Sequence, residues 1–394
     1  MPEEIDITTV MKLMAIPGEA GRELRIQEEV IRRLREMGVP DNHIAIDEAH
    51  KHSMNGGETG NLIVFFPGEH QGEQRMLTTH LDTVPGAVGC KPRREGYRVI
   101  NAATDRALGA DARAGVAVLL AAARDLIARR GQHPPRTFVF FVQEEVGLLG
   151  SKHLDLSLLG NPLPSECYNF DGVDAEELSN AIIGTERMNI QLKGVAAHTG
   201  RIQQGISCAV IEADALASLF RNGWVGLVEK DGRLAHTNLG VLNGGTGSNV
   251  TMPELYALME CRSFDLAFRE EILQNWRDAF NRAVEAANGR ASCYSVEGRA
   301  TVSFSQGPEY KPYELPTDHP MVLAAAAAIR KTGRTPRLFR HPGGTDSNNI
   351  VAHGIPSVTL GMGLRQAHSI HEWLDLEHFL DACCVAIELA SGVT

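Results

Sequence analysis

The 394-residue chain has no CxxC pair, no basic excess and no apolar run long enough to cross a bilayer, and each absence removes a class of function. Its seven cysteines, at positions 90, 167, 208, 261, 293, 383 and 384, are odd in number, and several lie in apolar surroundings. That argues against a disulfide framework or a cysteine zinc site and for reduced core thiols in a cytoplasmic protein. A formal charge of −11 excludes a general nucleic-acid binder, which needs a basic surface to neutralise phosphates. The longest apolar stretches, Val116–Ala123 and Met321–Ile329, are Ala-rich and far shorter than the ~20 residues of a membrane helix. The acidic opening MPEEIDITTVMKLM lacks the basic-then-apolar order of a secretory leader. What remains is an ordinary soluble mixture, long enough for two or three domains.

Periodicity sets the organisation. Ile26, Val30, Ile31, Leu34 and Met37 fall at helical spacing, with Gly38 as a stop. The short apolar runs Asn61–Pro67, Met76–His80 and Thr137–Val142 read as strands, and Arg113–Arg130 between the last two reads as an Ala-rich helix. Strand, helix, strand implies an α/β unit with a mixed, mostly parallel sheet flanked by helices. From about Gly184 the texture changes. Strand-like Met188–Lys193 and Leu255–Glu260, helical Ser207–Phe220 and Leu266–Ala287, and β character over Ala291–Ser305 read as an inserted β-α-β-β-α-β unit. After Gln306 the first pattern returns, with helix Met321–Lys331, strand Pro356–Leu360 and helix Leu376–Ala390 capped by Asp375. A discontinuous catalytic domain, 1–184 and 307–394, is therefore expected around a lid-like insertion, 185–306.

Polar residues stand where these strands end, the edge at which open α/β sheets bind ligands. Met76–Leu77 leads into His80-Leu81-Asp82, Thr137–Val142 into Gln143-Glu144-Glu145, Cys167–Phe170 into Asp171, and Ser357–Leu360 towards His368. Asp111 opens a helix in GADARAG, where it is either an N-cap or a ligand. Two residues apart on a strand, His80 and Asp82 share a side, so Asp82 can take the imidazole N–H while the other nitrogen binds metal. Adjacent carboxylates such as Glu144 and Glu145 repel unless a cation or proton separates them, so one can ligate while the other serves as a base. His371 rivals His368, and Asp171 in NFDG is either a turn residue or a ligand. Two histidines with three carboxylates suit zinc, cobalt or manganese better than calcium.

On these residues the sequence resembles the co-catalytic zinc metallopeptidase family of peptidase T, carboxypeptidase G, aminoacylase and succinyl-diaminopimelate desuccinylase. The segments TTHLDTVPG, GADARAGVAVLL, VQEEVGLLGSKHL, NFDG, GVAAHTG, MECRSFD, HPGGTDSNNI, HGIPSV and AHSIHEW occur in the family's order. The look is closest to peptidase T and its relatives. The resemblance implies a zinc-exopeptidase-like fold with a lid and dimerisation domain, and two divalent metals. His80 and Asp171 would bind one, Glu145 and His368 the other, and Asp111 would bridge them. His368 is favoured over His371 because the family's ligand stands four residues before a Glu, here Glu372. Glu144 would be general base and acid, and Asp82 would orient His80. His198 would reach the substrate or oxyanion, and Arg262 and Asn249 would hold the substrate carboxylate or backbone. Two departures stand out. Ala112 and Arg113 follow Asp111 where Asp and Lys are common, leaving open the cis peptide often found there, and Gln143 replaces a frequent acid.

The substrate expected is a short peptide, cleaved by a tripeptidase or aminopeptidase. The alternatives are an N-acyl-amino-acid amidohydrolase or carboxypeptidase of the same family, and a non-catalytic metal- or peptide-binding protein. Asp171 in place of Glu leans towards the first, and Glu144 speaks against the last. A homodimer through the inserted domain is implied by the resemblance.

Overall fold

The computed structural model describes residues 7–294 and 296–392, so residues 1–6 of the opening read for a leader lie outside the described residues. Two compact units emerge: one runs to Ile182 and resumes at Tyr313, the other is Ile183–Pro312. The second changeover falls later than the expected 306, because the last strand of the insertion continues to Tyr310.

In the first unit α1 (Ile7–Met14) and α2 (Leu24–Met37) precede β1 (Ile44–Ile46), β2 (Leu62–Phe66), β3 (Arg75–His80), β4 (Pro92–Glu95) and β5 (Arg98–Asn101). Then come α3 (Ala110–Ala128), β6 (Arg136–Phe141), α4 (Leu149–Lys152), β7 (Glu166–Gly172) and β8 (Glu177–Ile182). The inserted unit holds β9 (Gly184–Lys193), α5 (Cys208–Arg221), β10 (Gly226–Lys230), β11 (Arg233–Gly244), β12 (Glu254–Ser263), α6 (Leu266–Ala291) and β13 (Thr301–Tyr310). The chain returns through β14 (Tyr313–Glu314), α7 (Pro320–Lys331), β15 (Arg337–His341), α8 (Ser347–Ala352), β16 (Ser357–Gly361), β17 (Leu364–Arg365), β18 (Trp373–Asp375) and α9 (Leu376–Ser391).

The main sheet has the order β1-β2-β6-β3-β7-β16-β8-β14, with β15 also on β8. Its centre, β6, β3, β7 and β16, is parallel, and the pairings towards its edges are antiparallel except for β15 on β8. Central strands covered on both faces must be apolar throughout, and every residue of β6 is buried. Each such Phe or Val contributes about 1.5–3 kcal/mol through burial. A second, four-stranded sheet, β17-β18-β5-β4, was not expected, since its strands are short and charged.

Gly38 ends α2 in a left-handed conformation, φ 99°, donating its N–H to Arg35, and Asp375 caps α9 by accepting the Glu377 N–H at 3.2 Å. Helix α3 packs against α1, α9 and β3 and is buried around most of its circumference. Its first residues are not helical: Asp111 and Ala112 lie outside helical angles, so regular helix begins at Arg113. Close approach of α3 to the sheet needs Gly115, where a Cβ would stand 2.1 Å from Thr79 Oγ1 and 2.6 Å from the Phe170 carbonyl.

In the inserted unit five antiparallel strands run in the order β10-β11-β12-β9-β13, the central β12 and β9 alternate in burial, and α5 and α6 cover the apolar face. The unit is therefore β-α-β-β-β-α-β. It has one strand more than expected, and neither β10, a five-residue edge strand (GLVEK) with one buried side chain, nor the twelve-residue β11 was located from sequence. All seven cysteines are free, five of them buried, and no helix among the described residues is long and apolar enough to cross a membrane.

Replacing Gly115 by Ala should lower the unfolding free energy by about 1–3 kcal/mol through overpacking. Urea unfolding checks this, and an unchanged midpoint would contradict the close approach.

Candidate metal centre

Strand register builds the site. On β3, Thr78 pairs with Asn169 of β7 and His80 with Phe141 of β6. His80 and Asp171 thus stand at equivalent positions on adjacent parallel strands, each two residues beyond the Thr78–Asn169 pair. His80 Nε2 lies 3.2 Å from Asp111 Oδ1 and 3.4 Å from Asp171 Oδ1. The other oxygen of Asp111, Oδ2, lies 3.2 Å from His368 Nε2, which is 2.9 Å from Glu145 Oε1. Two three-membered groups therefore share Asp111, one oxygen to each. The Asp111–Ala112 peptide is cis.

The donor chemistry fits cations. His80 Nδ1 faces the Asp82 backbone carbonyl at 3.1 Å and so carries the proton of a neutral ring. The Nε2 lone pair then points at two carboxylate oxygens, an arrangement that repels unless positive charge lies between. Ligand atoms around a tetrahedral ion with bonds of about 2.0 Å are about 3.3 Å apart, the scale of the separations in both groups. His368 reaches its group from a left-handed conformation, φ 64°, rare for a non-glycine residue. His371 is exposed and joins neither group.

Glu144 is half-buried and joins neither group. Its pKa is raised well above the carboxylate range, first by burial, with Asp171, Asp346 and Glu145 adding repulsion against the opposing charge of His80. Asp82 does more than the expected contact with His80. Its carboxylate is 3.4 Å from His80 Nδ1, while its two oxygens accept the Glu144 and Glu145 N–H groups, each at 3.0 Å. The backbone carbonyl and the carboxylate both face the ring, and the carboxylate also orients the Glu pair.

The profile of peptidase family M20/M25/M40 matches residues 76–391, which spans every member of both groups. The chain belongs to this family. It is a peptide hydrolase. It is 28% identical over 375 residues to the uncharacterized protein YqjE of Bacillus subtilis, covering 94% of this chain and 93% of that one. To peptidase T of Vibrio cholerae it is 25% identical over 298 residues, 75% of this chain and 68% of that one. A tripeptidase from Staphylococcus aureus shares its fold with a TM-score of 0.83 at 26% identity, over 98% of this chain and 97% of that one. Aminopeptidase PepT from Bacillus cereus does so with a TM-score of 0.80 at 25% identity, over the same shares. Membership of a peptidase family leaves the non-catalytic alternative without support.

Three further residues of this M20 chain escaped the sequence reading. Glu372, noted only as a spacing mark, is buried and accepts the N–H groups of Leu108, Gly109 and Asp111 at 2.8, 2.9 and 3.1 Å, cradling the turn that delivers Asp111. Glu23 accepts the Gln143 N–H at 3.0 Å. Asp346, in the GGTDSN segment, is fully buried and neither oxygen has a hydrogen-bond partner among the described residues. Burial, chiefly, pushes all three to about 7. For Asp346 and Glu372 the signal in the sequence was an acid inside a quoted motif; Glu23, among charged neighbours, carried none. A third group, Asp174, Glu176 and His378, is an ion-pair network: Arg334, Arg337 and Arg365 engage its carboxylates, and His378 Nδ1 accepts the Ala175 N–H.

The other expected site residues lie in the inserted unit. His198 and Asn249 are exposed and sit together: Thr199 donates its N–H to the Asn249 carbonyl, and His198 bridges Val250. Arg262 is half-buried on β12 and donates to Glu260 at 2.6 Å.

The histidines give the metal site a pH dependence. Asp111 and Glu145 raise His368 to about 10, and around His80 the carboxylates of Asp111, Asp171 and Asp82 overcome the opposing effect of burial. A raised histidine pKa stabilises the metal-free fold fully below the unfolded value of about 6.5, and that contribution is lost as pH rises through the folded value. The carboxylates thus favour protons on both imidazoles, and a divalent cation has to compete with those protons. Apparent zinc affinity, measured by chelator competition, should therefore climb with pH from about 6.5 towards about 10. A pH-independent affinity would contradict the assignment.

Proposed function

We propose that this chain is a two-metal exopeptidase of short peptides, in the manner of peptidase T, releasing the amino-terminal residue of tripeptide-sized substrates. The observation that carries it is the divided carboxylate of Asp111, one oxygen to the His80 group and one to the His368 group, beside an unligated Glu144. His80 and Asp171 would hold one ion, Glu145 and His368 the other, and Asp111 both. Imidazole nitrogen with carboxylate oxygen suits zinc first, and cobalt or manganese next. Divalent ions bound there supply Lewis acidity towards the scissile carbonyl and lower the pKa of water.

Glu144, which joins neither ligand group, removes the proton of the attacking water and returns it to the leaving amine. His198 accepts the Gly200 N–H on Nδ1 at 3.0 Å, so its neutral ring carries the proton on Nε2, the atom that would donate to the oxyanion. Arg262 would hold the substrate carboxylate and Asn249 its backbone. Free thiols throughout suit a reducing, cytoplasmic setting.

Glu144→Ala should keep its metal content and lose ~10²–10⁴-fold in kcat. Metal analysis and a panel of di- and tripeptides, N-acyl amino acids and C-terminally extended peptides on one preparation test both levels. Undiminished kcat would remove the base assignment, and faster turnover of N-acyl amino acids would move the substrate to the alternative.

We also propose a homodimer through the inserted unit. Pairing of β10 with β11 stops at Gly226↔Thr237, yet β11 runs on to Gly244, so residues 238–244, paired with β12 on one side, have no strand partner on the other among the described residues and include exposed Val241 and Leu242. Such an open apolar edge favours pairing with a second copy. Leu242→Lys should shift sedimentation from dimer to monomer; a wild-type monomer would reject the proposal.

A further inference from the structure

We infer that Asn61, held by Asp47, is a positioning residue for the reaction, its carboxamide fixing the base of the turn that carries Glu144 and Glu145. This rests on Glu144 acting as the base. Asn61 immediately precedes β2, and the pairing of β2 with β6 ends at Leu62↔Phe140. Where that ladder stops, the Asn61 side chain replaces it. Its Oδ1 accepts the Val142 N–H at 3.1 Å, and its Nδ2 donates to the Gly150 carbonyl at 2.8 Å. Gly150 in turn donates its N–H to the Val142 carbonyl at 3.0 Å, so three hydrogen bonds close the turn 143–149.

The carboxamide has one possible orientation. Its second Nδ2 hydrogen goes to Asp47 Oδ2 at 2.7 Å, and Asp47 Oδ1 accepts the N–H groups of Asn61 and Ala49 at 2.8 and 3.0 Å. A flipped amide would set donor against donor at Val142 and acceptor against acceptor at Asp47. Asn61 is fully buried, and there is no slack around it. A Cβ on Gly150 would lie 2.5 Å from Asn61 Oδ1, and one on Gly60 would lie 2.0 Å from the Asp47 carbonyl. Asp82 pins the Glu144 and Glu145 amides, while Asn61 sets the separation of the turn's ends. Glu145 has His368 as a side-chain anchor. Glu144 joins neither ligand group, so its carboxylate is placed by the backbone turn, and a widened turn displaces it most.

The test is a double-mutant cycle on the metal-loaded full chain, reading kcat, KM, metal content and thermal midpoint. Asn61→Ala should lower kcat by about 10–100-fold, the scale of an ångström-sized misplacement, with KM within about threefold and metal content unchanged. In a Glu144→Ala background, assayed at high enzyme concentration, the same change should cost less than about twofold, because the group it places is gone. Asp47→Asn, nearly isosteric, should show the same pattern with a smaller loss, and it serves if Asn61→Ala fails to fold. Equal losses in both backgrounds, or a loss that follows only the folded fraction, would overturn the inference. Full turnover by Glu144→Ala alone would instead overturn the base assignment.

Discussion

Parallel strands that end side by side leave their last amides without ladder partners, and here one buried carboxylate takes two of them. Asp82 leaves the end of β3 and accepts the amides of Glu144 and Glu145 beyond β6, so two separate strand ends become one rigid edge. Hydrogen bonds to a charged acceptor contribute about 1.5–3 kcal/mol each, enough to fix a turn that lacks regular structure. The geometry of the Glu pair, and with it the ligand and the base proposed there, depends on this carboxylate. Its charge is offset by Arg113, fully buried at the start of α3, whose pKa burial lowers to about 10 while Asp82 and Glu23 oppose the shift. The Arg after Ala112, a departure when judged by motif alone, is thus part of the electrostatic balance beneath the site.

The same region carries more negative charge than its neighbours compensate. Asp111, Asp171, Glu144, Glu145, Asp346 and Glu372 converge there with two imidazoles, and burial and mutual repulsion raise most of their pKa values. Asp111 is the exception: burial would raise it, but hydrogen bonds to His368 and His80 take it below the ordinary range. It is the carboxylate that remains ionised between two positively charged groups, whether those are imidazolium protons or divalent ions. A site so arranged binds protons or metal interchangeably, and the carboxylate between the two groups is the one that couples them.

Much of this was legible in the sequence because it is local. The apolar runs before His80 and before the Glu pair gave β3 and β6, and Gly38 and Asp375 marked helix ends by cap chemistry. The rest lies in long-range partnerships. Asp82 looked like a tautomer-fixing neighbour of His80, two residues away, and turned out to serve amides more than sixty residues further on. Nothing about Ala112 indicates a cis peptide. Strands β4 and β10 carry charged residues on exposed faces and have no periodic signal of their own, so their pairing partners define them. Strand β8, buried throughout despite Ser179 and Asn180, is read correctly only once its polar groups have partners, as Asn180 does in the Leu315 carbonyl.

One rule recurs around the site. The loops that present Asp111 and the Glu pair have free amides taken by buried side-chain oxygens: Glu372 for the approach to Asp111, Glu23 for Gln143, Asn61 for Val142, and Asp82 for the Glu pair. Buried amides must find acceptors, and beyond a strand's end only side chains can supply them. Three of these four acceptors are carboxylates, which bond amides more strongly than a carboxamide but add charge to a region already short of cations. Asn61 does the same work without charge, at the one position where its second function is to donate. That division follows from the electrostatics: carboxylates serve where two or three amides converge, and a carboxamide serves where an amide and a carbonyl must be held apart at a fixed distance. The framework and the metal centre are therefore one problem in charge, because the anions that order the loops are tolerable only beside the cations that the loops are arranged to hold.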